Sequence, residues 1–142
     1  MTSKIDDKIL KKAFALTKKV RARAYAPYSN FQVGAVVITK SNAFFAGHNI
    51  ENASFGGTVC AERVAIWNWA SNNRRDPIKE IVLVTSPLAT PCGLCLQVMS
   101  EFLSAKTLIH LSTPDGIKKS FYFDQLLPQR FDPASLKNNP KN

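Results

Sequence analysis

The chain has 142 residues, 45% hydrophobic and 20% charged, enough for one domain burying roughly 70% of the surface its unfolded chain exposes; this composition excludes both a disordered chain and a disulfide-dependent miniprotein. Nineteen basic against ten acidic residues give a formal charge of +9, which raises nucleic acid as a partner, while no run approaches the ~20 apolar residues of a membrane span. Three cysteines fit poorly with a disulfide framework and point to metal ligands or nucleophiles in a reducing compartment.

The opening "MTSKIDDKILKKAF" lacks the apolar core of a secretory signal, so a cytoplasmic protein is expected. Ile5, Ile9, Ala13, Leu16 and Val20 recur at helical spacing, with Lys4, Lys8, Lys11, Lys12, Lys18 and Lys19 mainly on the other faces. Eight of the nineteen basic residues fall in the first 23 positions, and no aromatic-rich basic stripe appears that would stack bases along a strand. The charge therefore belongs to the solvated side of an amphipathic helix, and nucleic acid is not the expected partner.

After the Pro-containing loop "AYAPYSN", "FQVGAVVIT" is a β-branched strand, and the short turn "SN" joins it to an antiparallel strand over Phe44 to Ile50. The loop "ENASFGGT" leads into a largely apolar helix from about Cys60 to Ser71, which "NNRRDP" ends. "KEIVLVTS" is a buried strand feeding "PLATPCG", where Thr90 is placed to cap a helix with Pro91 in its first turn, running to about Ser104. "TLIHLS" and "KKSFYF" are strands that the turn "TPDG" is too short to join in parallel. The order of elements predicts a three-layer α/β/α sandwich with a mixed five-stranded sheet, in one domain over 1–142 with a loose tail over about 137–142.

Both cysteine motifs fall at expected helix starts, where free N–H groups and the helix dipole favour thiolates. Cys92 and Cys95, three apart on one helix face, can grip one ion, and Cys60 brings the set to three sulfur ligands, leaving the fourth zinc position for water. Hydrolysis at such a site also needs a proton carrier, and Glu62, two residues from Cys60, can face the same cleft without binding metal. Arg63 is the natural counter-charge to the thiolates. "CGLC" alone would also suit a redox dithiol, or half of a structural zinc site with His48 or His110 as the fourth ligand, but neither accounts for Cys-Ala-Glu and Pro-Cys at two helix starts.

With these residues the sequence resembles the cytidine deaminase family, in its small homotetrameric branch with three cysteine ligands. "AYAPYSNFQVGAVV", "GHNIENAS", "CAERVAI", "SPLATPCGLCLQV" and "LLPQRF" carry the resemblance, in order and over nearly the whole chain. It implies one zinc per subunit on Cys60, Cys92 and Cys95, with Glu62 passing protons to the ring nitrogen and the departing ammonia. It further implies Phe31 beside the pyrimidine, Asn49 and Glu51 on the ribose, the Ala61 backbone at the base edge, and Phe131 reaching into a neighbouring subunit's site. The implied reaction is hydrolytic deamination of cytidine and 2′-deoxycytidine in pyrimidine salvage.

Leu96 stands where the family motif commonly has arginine, Phe55 where it has tyrosine, and Gly57 and His48 also differ from the commoner residues. Three other readings share parts of this pattern: a deaminase of a modified cytosine nucleoside, an RNA-editing or RNA-binding protein of the same fold, and a zinc-stabilised module without catalysis.

Overall fold

The computed structural model describes residues 7–137; Lys4, Ile5 and the tail beyond Lys137 lie outside the described residues. The first helix, α1 (Asp7–Arg21), carries Asp7 in its first turn and Lys18, Lys19 and Arg21 in its last, each sign matched to the helix dipole. Ala13, Thr17 and Val20 form its buried stripe, and the Thr17 hydroxyl is satisfied by donating to the Ala13 carbonyl at 2.7 Å. The lysines of this helix are exposed, as expected of a solvated face.

The strands are β1 (Gly34–Thr39) and β2 (Phe44–His48), joined by a turn in which Asn42 adopts a positive φ of 66°. Both are shorter than expected. Before β1, the Phe31 carbonyl and the Val33 amide are taken by the Asn49 side chain instead of a neighbouring strand. After β2, Ile50 leaves the ladder to bridge Tyr25 and Val59. Among the described residues the remaining elements are a 3-10 turn (Phe55–Gly57), α2 (Ala61–Asn73), β3 (Ile78–Val84), α3 (Gly93–Phe102), β4 (Leu108–Thr113), β5 (Gly116–Tyr122) and two short helices, α4 (Phe123–Leu126) and α5 (Pro133–Lys137). Thr90 does not cap α3: Cys92 does, its sulfur accepting from the Cys95 amide at 3.4 Å, so the helix begins two residues later than expected.

The sheet order is β2-β1-β3-β4-β5. Only β3 and β4 are parallel, with α3 as their crossover; β1 runs antiparallel to both its neighbours, and β4 and β5 form the expected antiparallel pair. The mixed five-stranded sheet and the helical layers on its two faces agree with the sequence reading. Because side chains alternate across a strand, Val36, Ile38 and Val82 meet α1 on one face, while Ala35, Val37, Ile81, Leu83, Ile109 and Leu111 meet α2 and α3 on the other. Trp69 anchors this second core, 3% exposed, edge-on to Phe102 at 5.3 Å and donating its indole N–H to the Asp76 carbonyl at 2.8 Å.

Two glycines set how closely the layers approach. A Cβ on Gly47 of β2 would lie 2.5 Å from the Ala65 nitrogen and 2.7 Å from the Ala61 oxygen, so α2 rests with its backbone directly on the strand. A Cβ on Gly34 would lie 2.3 Å from the Thr17 carbonyl oxygen, the matching approach by α1 on the opposite face. Beside α1 the sheet carries a polar chain: the His110 ring, 1% exposed, has Nε2 2.9 Å from Glu80 Oε2 and Nδ1 2.7 Å from Ser120 Oγ. Both ring nitrogens are thereby paired, one with a carboxylate oxygen and the other with a hydroxyl.

Candidate active site

The backbone brings residues 60, 92 and 95 together because β2–α2–β3 and β3–α3–β4 start both helices at the same end of the sheet. Cys60 and Cys92 are the N-caps of α2 and α3, in extended conformation with their side chains free to leave the helix axis. Their sulfurs and that of Cys95 lie within 4.8 Å of one another, and among the described residues this is the one such group of metal-ligating side chains. Tetrahedral Zn–S bonds of ~2.3 Å require sulfurs about 3.8 Å apart, and three thiolates are the soft donor set zinc prefers, so the residues fit that ion. Neither His48 nor His110 joins the cluster: His48 Nδ1 lies 3.1 Å from the Asn49 carbonyl, and His110 belongs to the Glu80 pair.

The charges of the cluster are set by its own contacts. Hydrogen bonding with Cys95, and the Arg63 guanidinium alongside, lower the Cys60 pKa, while the same bond and burial raise that of Cys95 in the absence of an ion. Arg63 Nη2 lies 3.7 Å from Cys60 Sγ and 3.4 Å from the Thr58 carbonyl, and its guanidinium stands over the Trp67 ring at 5.9 Å. Leu96 turns away from the cluster into the core, 9% exposed, where the family motif would supply a second cation. Arg63 is thus the cation within hydrogen-bond reach of the sulfurs among the described residues.

A cavity of about 310 Å³ opens beside the sulfurs, lined by Cys60, Cys92 and Glu62 together with Phe31, Val33, Asn49 and Glu51. Glu62 is 6% exposed; burial pushes its carboxyl up to about 7, with the nearby Cys60 charge adding to that and its own backbone N–H opposing it. Asn49, 7% exposed, uses both ends of its amide: Oδ1 accepts from the Val33 N–H at 2.9 Å and Nδ2 donates to the Phe31 carbonyl at 2.8 Å. Glu51 accepts from the Ser29 hydroxyl, from the Tyr28 N–H at 2.8 Å and from the Ser29 N–H at 3.3 Å, which hold it below the usual carboxylate range.

Ala61 is fully buried behind Cys60 as the first residue of α2, where backbone N–H groups have no partner within the helix. Phe131 stands apart: its ring is 58% exposed and does not line this cavity. Sequence reasoning gave no site role to Thr85, Ala89 and Thr90, which line the cavity between β3 and α3. The Thr85 hydroxyl accepts from the Ala89 N–H at 2.9 Å and so shapes the loop that delivers Cys92, a contact that only the folded loop reveals.

A family model described as the cytidine and deoxycytidylate deaminase zinc-binding region matches residues 7–111. A cytidine deaminase from Halalkalibacterium halodurans is 42% identical over 114 residues, which is 80% of this chain and 86% of that protein. One from Mycoplasma genitalium is 39% identical over 111 residues, 77% of this chain and 85% of that protein. Among solved structures, a cytidine deaminase from Burkholderia pseudomallei superposes with a TM-score of 0.78 at 36% identity, covering 85% of this chain and 98% of its own.

Proposed function

Since the chain belongs to the cytidine and deoxycytidylate deaminase family, we propose that it hydrolyses the amino group of free cytidine and 2′-deoxycytidine, yielding the uridines and ammonia, as a step of pyrimidine salvage. It is an enzyme that deaminates cytidine and carries one zinc. The observation that supports the reaction best is the buried Glu62 carboxyl in one cavity with Cys60 and Cys92, together with Phe31, Asn49 and Glu51.

In this reading Cys60, Cys92 and Cys95 hold the ion and Glu62 carries the protons. Zinc at such a site supplies Lewis acidity that brings a water to ionisation near neutral pH. Glu62 takes one proton of the attacking water and gives it to the ring nitrogen, then takes the proton of the hydroxyl formed at the ring carbon and passes it to the amino group as the C–N bond breaks, leaving the carbonyl and ammonia. The Arg63 guanidinium, already within reach of Cys60, offsets the negative charge that three thiolates place on the site.

Phe31 offers an apolar face to the pyrimidine and the backbone of Ala61 borders its polar edge. Glu51, ionised by its three donors, is suited to accept from ribose hydroxyls, and Asn49 holds the segment that carries Phe31.

The same reading takes residues 1–142 as one deaminase domain of a cytoplasmic homotetramer in which Phe131 completes a neighbour's site. No described helix is long and apolar enough to cross a membrane. The antiparallel closing pair β4–β5 favours free nucleosides over polynucleotides, whose editing relatives place a helix between the last two strands.

The first experiment is the ultraviolet absorbance change of cytidine and 2′-deoxycytidine mixed with zinc-loaded protein, with Glu62→Ala beside it. Glu62→Ala is expected to lower kcat by about 10²–10⁴-fold with zinc content unchanged. A wild-type rate in that variant would remove Glu62 from the proton path.

A further inference from the structure

The exposed ring of Phe131 can serve a second copy of the chain only if the backbone that presents it is held still. That backbone is held from two sides. The Phe131 carbonyl accepts from Gln97 Nε2 at 2.8 Å and lies 3.0 Å from Ser100 Oγ. The two side chains also brace each other, with Gln97 Nε2 3.1 Å from Ser100 Oγ and that hydroxyl 2.7 Å from the Gln97 carbonyl. From the other side, Arg130 Nη1 reaches Asp124 Oδ1 at 2.9 Å and the Leu127 carbonyl at 3.3 Å, and its guanidinium covers the Phe123 ring at 5.1 Å.

Gln97 is exposed and does not line the cavity, so neither core packing nor direct substrate contact accounts for it. It sits on α3, whose N-terminal turn bears Cys92 and Cys95. The helix that positions two sulfurs thus also fixes, one and two turns along, the carbonyl of the residue whose ring points outward.

We propose that Gln97 and Ser100 are positioning residues which fix the Phe131 backbone so that its ring enters the cavity of a neighbouring copy, making α3 of one subunit a determinant of nucleoside affinity in the next. This rests on the reading of Phe131 as a shared-site residue. Alanine at Gln97 leaves an exposed helical position at least as favourable for the helix, so its effect isolates the lost donor. Glutamate there keeps the size and removes the donor altogether.

The test compares zinc-loaded wild type, Gln97→Ala, Gln97→Glu, Phe131→Ala and the Gln97→Ala/Phe131→Ala double variant. It measures KM and kcat for cytidine, zinc per chain, and hydrogen exchange of the segment around Phe131. Either change at Gln97 is expected to raise KM about 3- to 10-fold with kcat and zinc content held, as loss of a hydrogen bond predicts. Exchange around Phe131 should quicken, and the double variant should have the KM of Phe131→Ala alone. If Phe131→Ala raises KM while both changes at Gln97 leave KM and exchange unaltered, the positioning role is overturned and the shared-site reading stands. If Phe131→Ala itself leaves KM unaltered, the shared-site reading is overturned and the proposal falls with it; exchange then shows only whether the clamp holds the segment.

Discussion

Asn49 shows how a side chain can be recognisable in sequence for one reason and be used in the structure for another as well. Resemblance marks it as a ribose ligand, and its amide also bonds at both ends within the chain, to the Phe31 carbonyl and the Val33 N–H, with one N–H and one lone pair to spare. Asn49→Ala would leave both backbone groups unpaired in a buried setting, at a cost of about 2–3 kcal/mol, or roughly 5–10 °C in Tm. Thermal unfolding measures this directly, and an unchanged Tm would mean that the loop finds other partners. Asp at this position keeps the acceptor for Val33 but turns an oxygen toward the Phe31 carbonyl, so it should rescue only part of the loss.

The three sulfurs and Glu62 were legible because their chemistry is tied to short spacings and helix starts. The partnership of residue 49 with 31 and 33 was not, since it depends on which side chains meet where the hairpin ends. The same limit explains the misplaced cap of α3: Thr90 satisfies the local rule, but the chain turns two residues later, where Cys92 can cap the helix and meet Cys60.

At the scale of elements, the closeness of α2 to β2 is what delivers Cys60 and Glu62 to the cavity. Gly47→Ala would drive a methyl against the backbone of Ala61 and Ala65, and backbone cannot swing aside as a side chain can. The helix must lift, so we expect a loss of about 1–3 kcal/mol in stability together with weaker zinc retention in a competition titration with a chelator. A stability loss with unchanged zinc affinity would show that the helix start is held independently of its contact with the strand.

On the other face, His110→Leu would leave the buried Glu80 carboxylate without its main partner. A loss of about 1–3 kcal/mol is expected, the cost of leaving a buried acceptor without its hydrogen-bond partner, moderated because Lys79 Nζ is already 3.7 Å away. Replacing Glu80 by Leu as well should recover most of it, which chemical denaturation of the single and double variants would reveal. Sequence analysis weighed His110 only as an alternative fourth zinc ligand; the carboxylate partner thirty residues earlier became visible only when β3 and β4 paired in parallel.

For the molecule as a whole, one ion joins two helices that the chain reaches through different strands. Binding that favours the folded chain over the unfolded one adds stability by mass action, about 4 kcal/mol when free zinc exceeds its dissociation constant a thousandfold. For a domain of this size that is roughly 10–15 °C in Tm. Chelation should therefore lower Tm by that order, and readdition should restore it; a Tm indifferent to chelator would mean that the cluster is held closed by the protein alone. The fold class was legible at this scale because the alternation of helix and strand leaves few sheet orders open, and the short "TPDG" turn fixed the last pair.

The split origin of the sulfurs also bears on time. Cys60 lies 32 positions before Cys92, with all of α2 and β3 between them, so the cluster cannot assemble until that whole crossover has closed. Cys92 and Cys95 are local to one helix, but the three-sulfur set forms only after this loop has closed, so full zinc ligation reports a late stage of folding. Parting of the starts of α2 and α3 would take Cys60 from Cys92 and Cys95, so exchange of bound zinc with an isotopic tracer should quicken under conditions that loosen these two helices in the folded protein.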